Sequence, residues 1–468
     1  MDSHGEGDIG IELSTIGDAP RKSSVKKAIE TVTPLAAKAR KSLGGDSIFN
    51  KRELDHPTTD TDTLIHLIKG SLGAGILAMP LAFKNAGLTF GLVGTFVIGF
   101  ICTHCVHALV ETAHGLCRQG RVHTLSYGQV AEAAFLQGPP RLRGMGRLAA
   151  RTVDSFLVVV TLGACAVYLV FIASNLEQVV DSWSGSSFPL RGYIACVVVP
   201  LLALCSIRNL KMLSPFSLLS NVLVAISLGI VFYYTFTDIP HTSTKPHFST
   251  IAQLPLFFST AVFALEGIGV IMPIENNMIT PQNFTGNFRV LNTGMTVIVT
   301  MYAALGYFGY LKYGDCTEGS VSLNLPDEPL AQSTKLMLAL AVCLTYPLQM
   351  YVAVAMTWGG LQERLPRLKA QWKGPFQPEH IYRVLLVVFT ACIALAVPAL
   401  DSLMGLIGAV CISTAGLLFP AILETVYRYE NLGKFNWIMW KNIVIFLFGA
   451  LGFVTGVWTS IAGIVSSF

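Results

Sequence analysis

Two ionisable side chains stand beside glycine-rich stretches of otherwise apolar sequence: His66 lies four residues before Gly70, and Glu266 directly precedes Gly267. An imidazole has an unperturbed pKa of ~6.5, so it loads or releases a proton near neutral pH. A carboxylate inside an apolar segment is costly and is retained as a proton carrier or cation partner, or as a cap for freed amides. The neighbouring residues add backbone chemistry. Gly70, Ser71, Leu72, Gly73, Ala74 and Gly75 form one candidate binding stretch, and Phe263, Ala264, Leu265, Glu266 and Gly267 the other. A helix that stops there frees main-chain groups, and glycine lets a ligand approach them closely. Free N–H groups at a helix start suit an anionic group, and unwound carbonyls suit an ammonium. On position alone His66 is more often a packing residue than a proton carrier, and Glu266 serves equally as a cap.

The elements that must position these residues carry a repeated motif. Gly73-Ala-Gly75-Ile-Leu-Ala-Met79-Pro80 is echoed, one residue shorter, by Gly267-Ile-Gly269-Val-Ile-Met272-Pro273. Each copy lies in an apolar segment long enough to cross a bilayer, yet glycine weakens a helix interior and proline removes a donor. Both helices are expected to break midway. In hydrocarbon, broken backbone survives only where it is buried in protein or lines a polar cavity. Matching breaks in two halves of a chain point to a secondary transporter built from inverted repeats, with its site near the membrane midplane. Close helix packing at glycines is the alternative, and recurrence in register weighs against it.

Hydrophobic residues make up 52% of the chain and charged residues 13%, with a mean hydropathy of +0.58. Such a composition belongs to an all-α polytopic membrane protein. Windows of ~20 apolar residues predict about eleven spans, near 62–85, 88–114, 151–176, 191–207, 215–236, 252–279, 290–311, 331–357, 382–398, 402–425 and 439–465. Lys and Arg concentrate in alternate loops, including Arg118, Arg121, Arg141, Arg143, Arg147, Arg364, Arg367 and Lys373. By the positive-inside rule these loops and the N-terminus are cytosolic. Residues 1–61 are polar and are expected to be a disordered cytosolic tail ahead of a transmembrane domain over 62–468. Basic residues from Arg21 to Lys41 can lie against anionic lipid, although a solvated tail is the simpler expectation. The net charge of +4 is accounted for by the inner loops and implies no nucleic acid.

His104, His107, Glu111 and His114 share one helical face. The spacing can bind a metal, but the group lies toward the inner helix end, where a wet end or an intracellular gate fits better. Glu275, beside Asn276 and Asn277, is likewise read as an interfacial residue or gate. The ten cysteines lie mostly in apolar spans and predict no disulfide. The sequon Asn283-Phe-Thr285 falls on the inner side and is expected to be unmodified. No HExxH, GxSxG or phosphate-binding loop is present, so nothing points to an enzyme, and no cofactor is expected.

The run Thr63-Leu-Ile-His66-Leu-Ile-Lys69-Gly70-Ser-Leu-Gly73, its continuation to Pro80, Lys84, Asn85 and Gly87, and Phe263-Ala-Leu-Glu266 through Pro273, Glu275 and Asn276 resemble the proton-coupled amino acid transporters of the amino acid/auxin permease superfamily. Gly319-Ser-Val-Ser-Leu-Asn324-Leu-Pro326 and Ala415-Gly-Leu-Leu-Phe-Pro420-Ala add to the likeness, with insect-type members in particular. The resemblance covers roughly 62–465. It implies a LeuT-like 5+5 inverted repeat with broken first and sixth helices, and symport of a proton with small neutral amino acids such as glycine, alanine or proline. It also implies that His66 takes part in proton coupling, in a plasma membrane or a lysosomal or endosomal membrane. Ala74 stands where many members have Thr, which bears on substrate preference, and the outer-loop cysteine pair of some relatives is missing. Two other functions remain compatible: a sodium-coupled amino acid carrier, with a hydroxyl such as Thr345 near the ion, and a transporter-like amino acid sensor at the lysosome. A metal-ion carrier is disfavoured, because the first break offers Gly, Ser, Leu and Ala rather than metal ligands.

Overall fold

Glycine and proline decide where the first apolar run stops being one helix. In the computed structural model of the chain, which describes residues 57–185, 187–207, 210–265, 267–286, 289–364 and 378–466, that run is three pieces: α1 (Asp60–Ser71), α2 (Ala74–Leu77) and α3 (Met79–Ala86). Thr59 caps α1 in a reciprocal capping box with Asp62. The chain continues through α4 (Leu88–Gly120), the short α5 (Tyr127–Gln137), α6 (Gly146–Ser184), α7 (Leu190–Cys205) and α8 (Leu210–Phe236). The second interrupted span follows as α9 (Leu254–Ala264) and α10 (Ile268–Asn276), and then α11 (Val290–Tyr313), α12 (Pro329–Arg364) and α13 (Pro378–Ala396). The next span is composite: α14 (Leu400–Ile407), a π-helical stretch Gly408–Leu418, and α15 (Phe419–Tyr427). α16 (Trp437–Ser466) is last.

Among the described residues, nine helices are long and apolar enough to cross a membrane. The interrupted first segment and the 16-residue α7 complete the eleven expected spans. The tail expected over 1–61 lies outside the described residues as far as residue 56; Thr58 bonds the main chain of Asn277, and α1 starts at Asp60.

Both breaks are narrower than the sequence suggested. Gly70 and Ser71 remain in α1, while Ala74 and Gly75 already belong to α2, so only Leu72 and Gly73 leave helical geometry. Gly73 is extended, with φ −122° and ψ −156°. In the second span Phe263 and Ala264 remain in α9, Leu265 caps its end, and Gly267 stands just before α10. Each half-helix keeps its internal hydrogen bonds as far as packing allows, because an unpaired peptide group in hydrocarbon costs several kcal/mol.

The chain folds into two compact units. One comprises Thr161–Tyr233 and Leu325–Pro398. Within it α7 packs on α12 and α13, and Ser220 donates to the Ala341 carbonyl at 2.8 Å. The buried Arg383 pairs with Glu379 at 2.9 Å and donates to the Cys205 and Ile207 carbonyls at the end of α7, where a cation suits the helix dipole. The other unit contains the described parts of Asp18–Val160, Tyr234–Asn324 and Ala399–Phe468. There α11 packs against α1, α3 and α4, and α9 against α3, the π-helical stretch and α16. α16 shows how composition sorts its faces. Gly449, Gly452, Gly456 and Ser460 are buried, whereas Trp440, Val444, Leu447, Leu451, Val454 and Trp458 are exposed. Small residues admit close helix approach and large apolar ones meet lipid.

Candidate functional site

The two interruptions lie against each other. A Cβ added at Gly75 would sit 2.8 Å from Ala264 Cα, and one at Gly267 would sit 3.7 Å from Ser71 Oγ. Gly75 is thus a glycine by necessity of close approach. The Ser71 carbonyl, released where α1 stops, accepts a hydrogen bond from the buried Tyr302 hydroxyl of α11, and Ser71 Oγ turns back to the Leu67 carbonyl at 3.0 Å. Gly73 differs from its neighbours: nothing lies within 4 Å of a Cβ placed there.

Between the breaks is a cavity of about 20 Å³, walled by Leu67 and Ser71 of α1, Leu265, Gly267, Ile268 and Ile271 around the second break, Val262 of α9, Cys102 and Val106 of α4, Met295 of α11, and Gly416 and Leu417. That is room for about one water. Its wall is apolar apart from Ser71 and main-chain atoms. Gly416 and Leu417 come from the π-helical stretch, whose wide turns leave carbonyls off the usual ladder. Tyr127 donates to the Ala415 carbonyl at 2.6 Å, and the Phe419 N–H reaches Thr414 O, five residues back.

Of the residues expected at the site, Ser71, Leu265 and Gly267 line this cavity. Gly70 is exposed, and a Cβ there would lie 3.6 Å from Val270, while Gly75 is held against Ala264. Leu72 and Gly73 form the first break, Ala74 is buried at the start of α2, and Phe263 and Ala264 are buried at the end of α9. Glu266 lies outside the described residues. His66 stands on α1 one residue from the cavity-lining Leu67; it is half-buried, and its Nδ1 has no hydrogen-bond partner among the described residues. Sequence reasoning missed Cys102, Val106 and Met295, which carry no local signal. Gly416 did carry one: it precedes Pro420 within a span, the same punctuation that marked the two breaks.

The ends of these helices around Thr58 and Glu275 are tied by polar contacts. Thr58 exchanges main-chain bonds with Asn277 and Ile279. Asp60 accepts from Thr280 Oγ1 at 2.6 Å and from Asn283 Nδ2 at 2.8 Å. Glu275 bonds His114 Nε2 at 2.8 Å, and Asn276 donates to the Leu125 carbonyl. The His104–His114 face is therefore divided among partners: His107 pairs with Glu111 at 2.9 Å, and Glu111 with Arg428 at 2.7 Å. Among the described residues no three metal-binding side chains converge. No disulfide joins any of the ten cysteines.

Relatives set this geometry in context. The chain is 40% identical to the Drosophila melanogaster "Proton-coupled amino acid transporter-like protein pathetic", over 94% of this chain and 93% of that protein. It is 27% identical to the Caenorhabditis elegans "Probable amino acid transporter skat-1", over 88% and 91% of the two chains. Among solved structures, Mhp1, a nucleobase-cation-symport-1 family transporter in a closed conformation with bromovinylhydantoin bound, matches with a TM-score of 0.49 at 13% identity, over 90% of this chain and 97% of that one. The Eremococcus coleocola manganese transporter matches with a TM-score of 0.45 at 11% identity, over 86% and 88%. The pattern described as transmembrane amino acid transporter protein matches residues 56–462, and with two interrupted spans facing one another in its helical bundle, this chain belongs to that family.

Proposed function

We propose that the protein is a symporter that moves small neutral amino acids, of the glycine, alanine and proline class, together with protons by alternating access. The observation that carries this reading is the meeting of the two interruptions across one small, apolar-walled cavity. Main-chain groups at the breaks hold the ammonium and carboxylate, and the side chain faces Leu67, Val106, Val262 and Ile268, which favours an apolar substituent. The cavity of about 20 Å³ is smaller than any amino acid, so the walls must part for loading and again for release. His66 is the proton-coupling group of this proposal, with Glu266 as a second ionisable group at the other break. The name of the fly relative, which includes proton coupling, supports the choice of ion.

The N-terminus and the basic loops are assigned to the cytosol. The surrounding membrane is that of the cell surface or of a lysosome or endosome.

The test is amino-acid-evoked current as a function of pH, in proteoliposomes of the full chain. Glycine, alanine or proline should evoke inward proton current that grows on acidification. His66→Ala should abolish that current while the protein still inserts. Full pH-dependent transport by the variant would remove His66 from the mechanism.

A further inference from the structure

We infer that the buried His114–Glu275 pair is a proton-positioning pair of the inner half of the pathway, an inference that rests on the symport reading above. Glu275 lies on α10, the half-helix that starts at the second break, and is 1% exposed; His114 of α4, at 7%, meets it at 2.8 Å. His114 also lines an open polar cleft of about 500 Å³ with Glu111, Arg118, Gln282, Arg428 and Glu430. The imidazole thus stands between a carboxyl sealed inside the protein and water. A carboxyl sealed from water is costly to ionise unless it is paired, so the bond to His114 that joins the two helices supports the charge on Glu275.

The proton step balances within the pair. Glu275 in its protonated form passes its proton to His114 Nε2, and the imidazolium releases its Nδ1 proton to cleft water. What remains is a carboxylate accepting from Nε2–H, the bond described above. Other charged groups bordering the pair are Glu111 and Arg118 on α4, and Arg428 and Glu430 at and beyond the end of α15. α1, packed on α10, carries Asp60, Asp62, His66 and Lys69. α5, packed on α4, carries Glu132, while α3 and α11 bring Lys84 and Lys312 near their C-terminal ends.

The experiment is labelled-alanine uptake into proteoliposomes at external pH of about 5.5 and about 7.5, normalised to inserted protein, for the wild type, Glu275→Gln, His114→Gln and the double variant. Glutamine at 275 keeps a hydrogen-bonding side chain of the same shape but carries no proton. Each single variant should lower the maximal rate at acid pH by about tenfold or more and bring the acid-to-neutral ratio close to one, with KM for alanine within about twofold of wild type. The double variant should be no worse than either single, as expected of two residues that act as one unit. Inserted variants that keep the wild-type ratio overturn the inference, because a purely structural pair changes the amount of protein and not its pH profile. If Glu275→Gln does not insert, His114→Gln decides by the same ratio. A wild type with no acid-stimulated uptake refutes the symport reading itself, a separate outcome.

Discussion

Glycines 73 and 75 sit two residues apart and do different things. A methyl group at Gly75 meets the Ala264 backbone at 2.8 Å, and backbone cannot swing aside as a long side chain can. Gly75→Ala should therefore destabilise the protein by about 1–3 kcal/mol, the usual cost of overpacking, seen as a lowered midpoint in thermal unfolding. Gly73 has open space around its Cβ position and an extended conformation available to any residue. Gly73→Ala should leave the unfolding midpoint unchanged and reduce alanine uptake by crowding the break; equal uptake would assign Gly73 to folding history rather than to the site. Tyr302→Phe probes the same gap from the other side. It removes one of two hydrogen bonds to the Ser71 carbonyl, which still accepts from the Gly73 N–H at 2.9 Å, at a cost of about 0.5–1.5 kcal/mol read as a lowered unfolding midpoint.

At the scale of elements, the start of the first broken span is stapled to the chain just beyond the second by Asp60, whose carboxylate oxygens bind Thr280 and Asn283. Asp60→Ala should loosen that staple and raise the reactivity of Cys102, which lines the cavity, toward a thiol reagent added from the inner side. Unaltered labelling would mean that the inner ends are held closed elsewhere. The breaks themselves were legible in the sequence because glycine and proline act locally, through missing Cβ atoms and missing donors. Their narrowness was not, since the number of residues that leave a helix depends on partners such as Tyr302, which lies 231 positions from Ser71. The cavity wall was legible only where it is made of the breaks. Cys102, Val106 and Met295 reach it through packing of distant helices, and an apolar residue facing a cavity looks in sequence like one facing lipid. The π-helical stretch was illegible for a related reason: Gly408 has to sit close against the Ser259 carbonyl of α9, a demand set by the neighbouring helix.

At the scale of the whole molecule, the ion that drives transport is open to direct test. One proton crossing ~100 mV yields roughly 2.3 kcal/mol, and one pH unit adds roughly 1.4 kcal/mol, enough to hold a substrate gradient of several hundredfold. Replacing external sodium by an inert cation should leave uptake undiminished, and lowering external pH should raise it; dependence on sodium would select the competing carrier reading. Thr345, the hydroxyl that reading favours, already donates to the Ala341 carbonyl at 2.9 Å and contacts Ser220 Oγ at 2.8 Å. The eleven-span plan was readable from hydropathy because lipid enforces length, and the one exception to that length has a consequence of its own. With 16 residues, α7 rises about 24 Å, several ångströms short of the ~30 Å hydrocarbon layer. Acyl chains around it must compress, or headgroups must dip inward to meet its ends. A local dimple in the host bilayer is the expected result, which thick, sterol-stiffened membranes resist more than thin fluid ones.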